Sequence, residues 1–573
     1  MPVHNREIAA IFNETADLLE IQGDNPFRIR AYRNAARTVQ SLPQSAAEFI
    51  SEDGDLTKYQ GIGKDLAGKI KEIVETGSFE ALEDLKKEVP EELGKLMNIS
   101  GLGAKRVSKI YKQLKITTLE QLKKAIDSGK INEIEGFGEK TGQNILEEIG
   151  RLEQEQSQRS KLPVAEEIAE ALIEYLQKAK GVKEIQIAGS FRRRKETVKD
   201  LDILVTCRQG SKIMEHFVSY EDVRKIVSKG TTRSTVLLRT NFQVDLRLVP
   251  QKSFGAAMVY FTGSKEHNIA IRKIAIQKEF KLNEYGVFNG DKQVAGKTES
   301  EVYKKLGLRY IEPELREDRG EVEAARENKL PKLITLENIK GDLHVHSSHT
   351  DGRNTIDEMA QTAKEIGYEY IAITDHSQHV TVAGGLKPKD VLKELEEIDK
   401  INDRLQRFTI LKGTEVDILE DGSLDLPDEI LRELDIRVCS VHYKFNLSKK
   451  KQTERIIKAM DNRYFNIFAH PTGRLINERN PYDLDMEEVM KAARDKGCML
   501  ELNSHPDRLD LNDIHCKMAK DIGLKIVIST DAHHTGNLKY MHFGIGQARR
   551  GWIEPDDVIN TQPLNELKNL LKR

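Results

Sequence analysis

Apolar residues recur every three to four positions in the opening stretch MPVHNREIAAIFNETADLLE, the spacing of one buried helix face. The same period runs through LEDLKKEVPEELGKLM, and the chain up to about residue 155 reads as helices joined by short glycine turns. Three of those turns repeat one pattern. YQGIGKDLAGKIKEI, ISGLGAKRVSKIYKQL and IEGFGEKTGQNILEEI each set Gly-hydrophobic-Gly ahead of a new helix. Near Pro163 the texture changes: VAEEIAEALIEYLQKA is helical, and VKEIQIAGS, LDILVTC, STVLLRT and FQVDLRLVP have the β-branched composition of strands, so a mixed α/β unit follows. Short helices and strands alternate from Phe254 to Ile311, and the charged, poorly periodic run PELREDRGEVEAARENKLPK reads as a link. Beyond GDLHVHSSHTDG, the strand-like pieces YIAITD, FTILKG, IRVCSVH, FNIFAH, CMLELN and KIVIST alternate with helices. That rhythm predicts an α/β barrel with its functional side chains at the strands' C-terminal ends.

With 573 residues the chain exceeds what one hydrophobic core supports, so several packed units are expected. Hydrophobic residues at 38% and charged residues at 32% describe a globular protein rather than a disordered one. The net charge of −3 removes any overall attraction to nucleic acid, which leaves local basic patches and backbone amides to hold a phosphate backbone. Cys207, Cys439, Cys498 and Cys516 form no CxxC pair, which points to a reducing compartment and away from a zinc ribbon. No run approaches the ~18 apolar residues of a membrane span, and a cytoplasmic protein without a membrane partner is expected.

The chemistry concentrates in three places. In the helical repeats, Gly61 and Gly63, Gly101 and Gly103, and Gly136 and Gly138 precede helices, with Lys64, Lys105 and Lys140 beside them. Such turns let a phosphate reach free backbone N–H groups at a helix N-terminus without any reading of base sequence. In AGSFRRRKETVKDLDILV, Asp200 and Asp202 lie two apart on one strand face, while Leu201, Ile203 and Val205 turn to the core. Asp245 in FQVDLRLV is a third acidic residue among apolar neighbours. Three clustered carboxylates repel unless cations lie between them, so they read as a two-Mg²⁺ site, with Gly189 and Ser190 forming a phosphate turn and Arg193 a bidentate partner. In the last region, His344, His346, Asp351, His376, Glu415, His442, His470, Asp531 and His533 each fall at or just past a strand end. Mixed imidazole and carboxylate ligands suit Mn²⁺, Zn²⁺ or Fe²⁺; nine of them can hold up to three ions that activate water for phosphoester hydrolysis.

GSFRRRKETVKDLD, VDLRLVP and YFTGSKEHNIAIR resemble, in order, the catalytic motifs of family X DNA polymerases such as DNA polymerase beta. The resemblance covers roughly residues 1 to 312. It implies a DNA polymerase that uses dNTPs on gapped or nicked double-stranded DNA in base excision repair, with Asp200, Asp202 and Asp245 as metal ligands and Ser190 and Arg193 on the triphosphate. It further implies Tyr260, Phe261 and Gly263 at the sugar, Asn268 and Arg272 at the nascent base pair, and Lys69 at the position of a lyase nucleophile. Lys199 departs from the family, which often has glycine there. The nine-residue pattern is similar to the polymerase and histidinol phosphatase (PHP) domain over about residues 336 to 573, and implies Mn²⁺-dependent 3′–5′ exonuclease and abasic-site endonuclease activity. The expected architecture is therefore multidomain α+β and α/β: an N-terminal helical domain with the first helix-hairpin-helix (1–90), fingers with two more (91–155), nucleotidyltransferase palm (156–252), thumb (253–312), link (313–335) and a distorted α/β (PHP) barrel (336–573). A monomer, cytoplasmic and associated with the nucleoid, suffices for this reading.

Overall fold

The computed structural model describes residues 5–572 apart from 41, 43–45, 52–53, 60, 91–92, 94–95, 98, 100–101, 135, 139–140, 147–148, 150–158 and 209–211. The chain divides into two compact units, Met1–Ser157 and Gln158–Arg573.

The first unit is helical. Asn5–Gln22, Pro26–Gln40, Lys64–Thr76, Glu80–Glu88 and Ala104–Leu114 bury apolar faces against one core, in which the rings of Phe12, Tyr32 and Phe79 meet at 5.6 to 6.1 Å. Leu119–Asp127 starts with a capping box between Thr118 and Gln121, which satisfies otherwise orphaned backbone N–H groups. The opening helix of the sequence reading is thus present, with Ile8, Phe12 and Leu19 fully buried at its helical spacing.

The second unit begins with a five-stranded sheet in the order Val182–Ile187, Asp200–Cys207, Gln243–Leu248, Arg233–Leu238, Val223–Lys229. The pair Asp200–Cys207 and Gln243–Leu248 is parallel; the other pairs are antiparallel. Helix Leu162–Gln177 shares a core with Leu201, Ile203 and Val205, which leaves the alternate positions of that strand free for chemistry. Helices Phe254–Thr262 and Lys265–Gln277, a three-stranded sheet over 281–295 and helix Glu299–Leu306 follow.

Residues 313–335, read from their charge as a link, are instead folded in. Leu315, Val322, Ala325 and Leu333 join the core of Ile271, Tyr303 and Leu306, and Glu321–Glu327 is a helix. Their charges are paired in the interior: Arg316, wholly buried, donates to Glu299 at 2.8 Å and lies over the rings of Tyr303 and Tyr310. Buried pairs of this kind carry no apolar period, so the pattern conceals them.

The remainder is a barrel of seven parallel strands in chain order: Gly341–Val345, Tyr370–Ile373, Thr409–Asp417, Ile436–Ser440, Ile467–Phe468, Met499–Asn503 and Ile526–Ser529. A parallel bridge from Val345 to Ala532 joins the last strand's end back to the first. Ile371, Ile373 and Ile410 pack toward the helices, while the alternating Leu343, Tyr370, Ala372 and Leu411 form a second cluster with Leu567 and Leu571 near the C-terminus. Among the described residues, no helix is long and apolar enough to cross a membrane.

Candidate metal centres and nucleic-acid interface

In the five-stranded sheet, Asp202 stands in register with Asp245 on the neighbouring parallel strand, and Asp200 precedes it by two. All three carboxylates therefore project from one face. Burial, then the charges of Asp200 and Asp245, push Asp202 up to about 6. Asp200 is also raised, by burial and by Asp245. Burial acts on Asp245 in the same sense but is outweighed by hydrogen bonds from Thr235 Oγ1 (2.6 Å), Arg233 NH2 (2.9 Å) and Gln243 Nε2 (3.0 Å), which hold it ionised. A set of hard oxygen donors in which burial and mutual repulsion raise two of the three members suits divalent cations of the Mg²⁺ type.

Gly189 sits against this cluster with φ +66°, and a Cβ there would come within 2.9 Å of Asp202 Oδ2, so both conformation and space require glycine. Ser190 follows on the short helix Gly189–Arg192. The basic run beyond it is shared out among carboxylates. Arg192 forks onto Glu299 (2.9 and 2.6 Å), Arg193 donates through Nε to Glu317 (3.0 Å) and through NH1 to the Thr262 carbonyl, and Arg194 donates to Glu166 (2.7 Å). Arg193 is thus near the aspartates in sequence but already ion-paired. Tyr260, Asn268 and Arg272 are brought together: Asn268 donates to the Tyr260 carbonyl (2.7 Å) and the Arg272 guanidinium lies over the Tyr260 ring at 5.3 Å. Phe261 stacks beneath Arg247, and a Cβ on Gly263 would lie 3.2 Å from Arg193 NH1.

Each hairpin buries the residue between its glycines, Ile62, Leu102 and Phe137. Gly61, Gly63, Gly103, Gly136 and Gly138 stay exposed, as do Lys64 and Lys105. Gly63 and Gly103 are the N-caps of Lys64–Thr76 and Ala104–Leu114, no side chain caps either helix, and a Cβ at either glycine would meet nothing within 4 Å. Uncapped N–H groups facing open space suit a phosphate backbone. Gly101 and Lys140 lie outside the described residues. Lys69 pairs with Asp65 at 2.6 Å beside the Tyr32 ring; burial alone would depress its pKa, but Asp65 and Tyr32 outweigh it and raise it. A Schiff-base nucleophile needs the opposite shift.

In the barrel all nine expected side chains converge. Glu415 is the centre: its Oε1 lies 3.3 Å from His442 Nε2 and 2.9 Å from His470 Nε2, and its Oε2 lies 3.0 Å from His376 Nδ1, 3.4 Å from His344 Nε2 and 3.6 Å from His346 Nε2. Asp531 Oδ1 reaches His346 at 3.2 Å, and Asp351 Oδ2 reaches His533 at 3.3 Å and His376 at 3.5 Å. The ligand atoms fall into three overlapping groups, His346–Asp351–His376–His533, His344–His346–Asp531 and His376–Glu415–His442. His344 Nε2, both ring nitrogens of His346 and His376 Nδ1 are buried without a hydrogen-bond partner. Orphaned polar atoms in an interior are costly, and lone pairs aimed at one another's carboxylates fit metal coordination. Burial and the neighbouring His533 and His376 lower His346 to about 4. Burial would lower His376 too, but Glu415 and Asp351 outweigh it and draw it up to about 10. Positive charge is therefore favoured beside Glu415 and Asp351 and disfavoured at His346.

Sequence reading missed the residues that orient this set. Glu501 accepts from His344 Nδ1 (2.7 Å) and from the His470 backbone N–H (2.7 Å), and Asp417 lies 3.2 Å from His442 Nδ1. Holding one ring nitrogen in this way aims the other. The signal is an acidic residue inside an apolar strand, Glu501 in CMLELN. Arg508, 3.4 Å from Asp531, adds a cation at the rim.

The palm triad and the imidazole barrel define a metal-dependent enzyme with two separate centres, one of the nucleotidyltransferase kind and one of the phosphoesterase kind. Family models agree: helix-hairpin-helix domains match residues 3–79, 70–115 and 93–151, the DNA polymerase beta palm 161–276, the DNA polymerase beta thumb 257–317 and the PHP domain 342–505. The chain is 38% identical over 575 residues to the "DNA polymerase/3'-5' exonuclease PolX" of Bacillus subtilis (strain 168), covering all of both chains. A "probable phosphatase" of Thermoanaerobacter sp. (strain X514) is 32% identical over 40% of this chain and 94% of its own length. Another "probable phosphatase", from Acetivibrio thermocellus, is 33% identical over 34% of the chain and 78% of its own. The chain belongs to the family X DNA polymerases that carry a C-terminal PHP domain.

Proposed function

We propose that this chain fills short gaps in DNA during base excision repair, and that its barrel trims 3′ ends and incises at abasic sites. The observation that carries the reading is the pair of acidic and imidazole clusters in one unit: Asp202 in register with Asp245 and two positions from Asp200 on one face of the palm sheet, and one carboxylate ringed by five imidazoles in the barrel.

At the palm, Asp200, Asp202 and Asp245 would hold Mg²⁺, which when bound acidifies the 3′-hydroxyl and offsets charge on the departing pyrophosphate. Thr235, Arg233 and Gln243 keep Asp245 ionised for that task. Gly189 and Ser190 would receive the triphosphate with Arg193; Tyr260, Phe261 and Gly263 border the sugar, and Asn268 and Arg272 check the new base pair. In the barrel the nine ligands would hold up to three ions, Mn²⁺ or Zn²⁺, which supply a Lewis acid and an activated water for phosphodiester hydrolysis. Glu501 and Asp417 keep His344 and His442 in the ligating orientation. The exposed glycines and lysines of the hairpins would grip the backbone of a gapped or nicked duplex, with the chain acting as a monomer. Lyase chemistry at Lys69 would require its ammonium, which Asp65 and Tyr32 favour, to give up a proton first.

A labelled gapped duplex, incubated with or without dNTPs in Mg²⁺ or in Mn²⁺, tests the proposal. Extension should require dNTPs and proceed in Mg²⁺, while shortening should dominate without dNTPs and be strongest in Mn²⁺. Shortening with no dNTP-dependent extension under any condition would overturn the polymerase reading.

A further inference from the structure

Helix Met541–Arg550 follows the last barrel strand, and it lies against the nucleotide loop of the palm. Gly546 allows the approach: a Cβ there would stand 3.2 Å from the Cβ of Arg194. His542 Nε2 and Arg194 share the carboxylate of Glu166, at 2.8 and 2.7 Å. At the helix C-terminus Arg550 is nearly inaccessible, with 4% of its side chain exposed. Its NH1 donates to the backbone carbonyl of Arg193 (2.7 Å) and to Glu317 Oε1 (2.9 Å), and its NH2 donates to Asp513 (2.6 Å). Arg319 completes the cluster by donating to the same oxygen of Asp513 at 3.0 Å.

Glu317 Oε1 is thus shared. It takes Arg550 from the barrel on one side and Arg193 Nε from the palm on the other, and both carboxylate and guanidinium are only about a tenth exposed. Arg193 NH1 is tied to the Thr262 carbonyl, so two of its nitrogens are fixed by protein. Buried charges of this kind stay paired, because an orphaned one is strongly destabilising. A guanidinium locked in plane and direction presents its remaining donors to a phosphate without first losing rotamer freedom. Arg550, Arg193 and nearby Lys195 together hold Glu317 ionised.

We propose that Glu317 and Arg550 are positioning residues for Arg193, so that the helix after the last strand of the hydrolytic barrel is a working part of the polymerase's triphosphate site. The inference rests on the reading of Arg193 as a triphosphate ligand. It makes nucleotide use by the palm dependent on a barrel residue remote from the barrel's own ligands.

The test uses the full chain with Arg193→Ala, Glu317→Gln and Arg550→Lys, measuring single-nucleotide insertion into a gapped duplex. Barrel hydrolysis and thermal midpoint serve as folding controls. Glu317→Gln should raise KM for the dNTP about tenfold with kcat changed less than about twofold, the pattern of lost binding rather than lost fold. Arg550→Lys keeps the charge but loses the fork, and should fall between that variant and the parent. It also decides the matter if Glu317→Gln fails to fold. Glu317→Gln combined with Arg550→Lys should show less than the summed effect. An unchanged or lowered KM in Glu317→Gln and Arg550→Lys, with KM raised in Arg193→Ala, overturns the positioning role and leaves the triphosphate reading intact. An unchanged KM in Arg193→Ala removes that reading and the inference with it.

Discussion

At the scale of single residues, the barrel sets its converging imidazoles beside carboxylates that hold their other ring nitrogen. Glu501→Gln keeps the shape beside His344 but replaces a charged acceptor with a neutral amide. Metal affinity at the barrel should fall about 10- to 100-fold, read by metal titration of hydrolysis, with activity returning in excess Mn²⁺. Loss that no metal concentration restores would contradict the orienting role. Most of the nine converging side chains were legible because each is a polar residue in or just past an apolar run; Asp351 stands in the loop beyond one. Glu501 and Asp417 were not recognised, since their value lies in partners 157 and 25 positions away. Arg193 shows the other limit. Its neighbourhood to the aspartates is plain in the sequence, but its pairing with Glu317 spans 124 positions and depends on how the following elements pack.

At the scale of elements, charge patterns proved harder to read than apolar ones. Helices and strands with regular burial were legible, as in Asp200–Cys207, where Leu201, Ile203 and Val205 are fully buried. The stretch 313–335 was not, because Arg316 and Glu321 carry their charge into the core. Burial raises the pKa of Glu299, but Arg316 and Arg192 outweigh it and bring it down to about 2, from an ordinary 4.5. A carboxylate lowered in the folded state adds stability that is fully present above the ordinary value and lost as pH falls toward the folded one. At neutral pH this amounts to about 3 kcal/mol. Glu299→Gln should therefore lower urea stability by an amount of that order at pH 7, and the gap from the parent should narrow between pH 5 and pH 2. A gap that is constant with pH would show that the pair contributes through packing alone. In the hairpins, Gly63→Val places methyls over uncapped N–H groups that now face open space. DNA affinity, followed by fluorescence anisotropy, should weaken about tenfold for gapped and intact duplexes alike, because backbone contacts carry no sequence information.

At the scale of the whole molecule, the palm and barrel are joined by ion pairs that sequence patterns do not reveal. Arg474 forks onto Glu196 at 3.3 and 2.7 Å, and Lys161 reaches Glu478 and Asp507 at 2.6 and 2.5 Å. Each residue alone looks like an ordinary solvated charge. The two chemistries are nevertheless built on separate donor sets, oxygen only in the palm and imidazole with carboxylate in the barrel, which is why they should be separable. Chelation by EDTA should stop both, and Mg²⁺ alone should restore extension before shortening. The most direct measurement follows extension and shortening of one labelled gapped duplex by three proteins: the parent, Asp200→Ala with Asp202→Ala, and His344→Ala with His346→Ala. The palm variant should lose extension and keep shortening, and the barrel variant should do the reverse. Loss of both activities in either folded variant would contradict two independent centres.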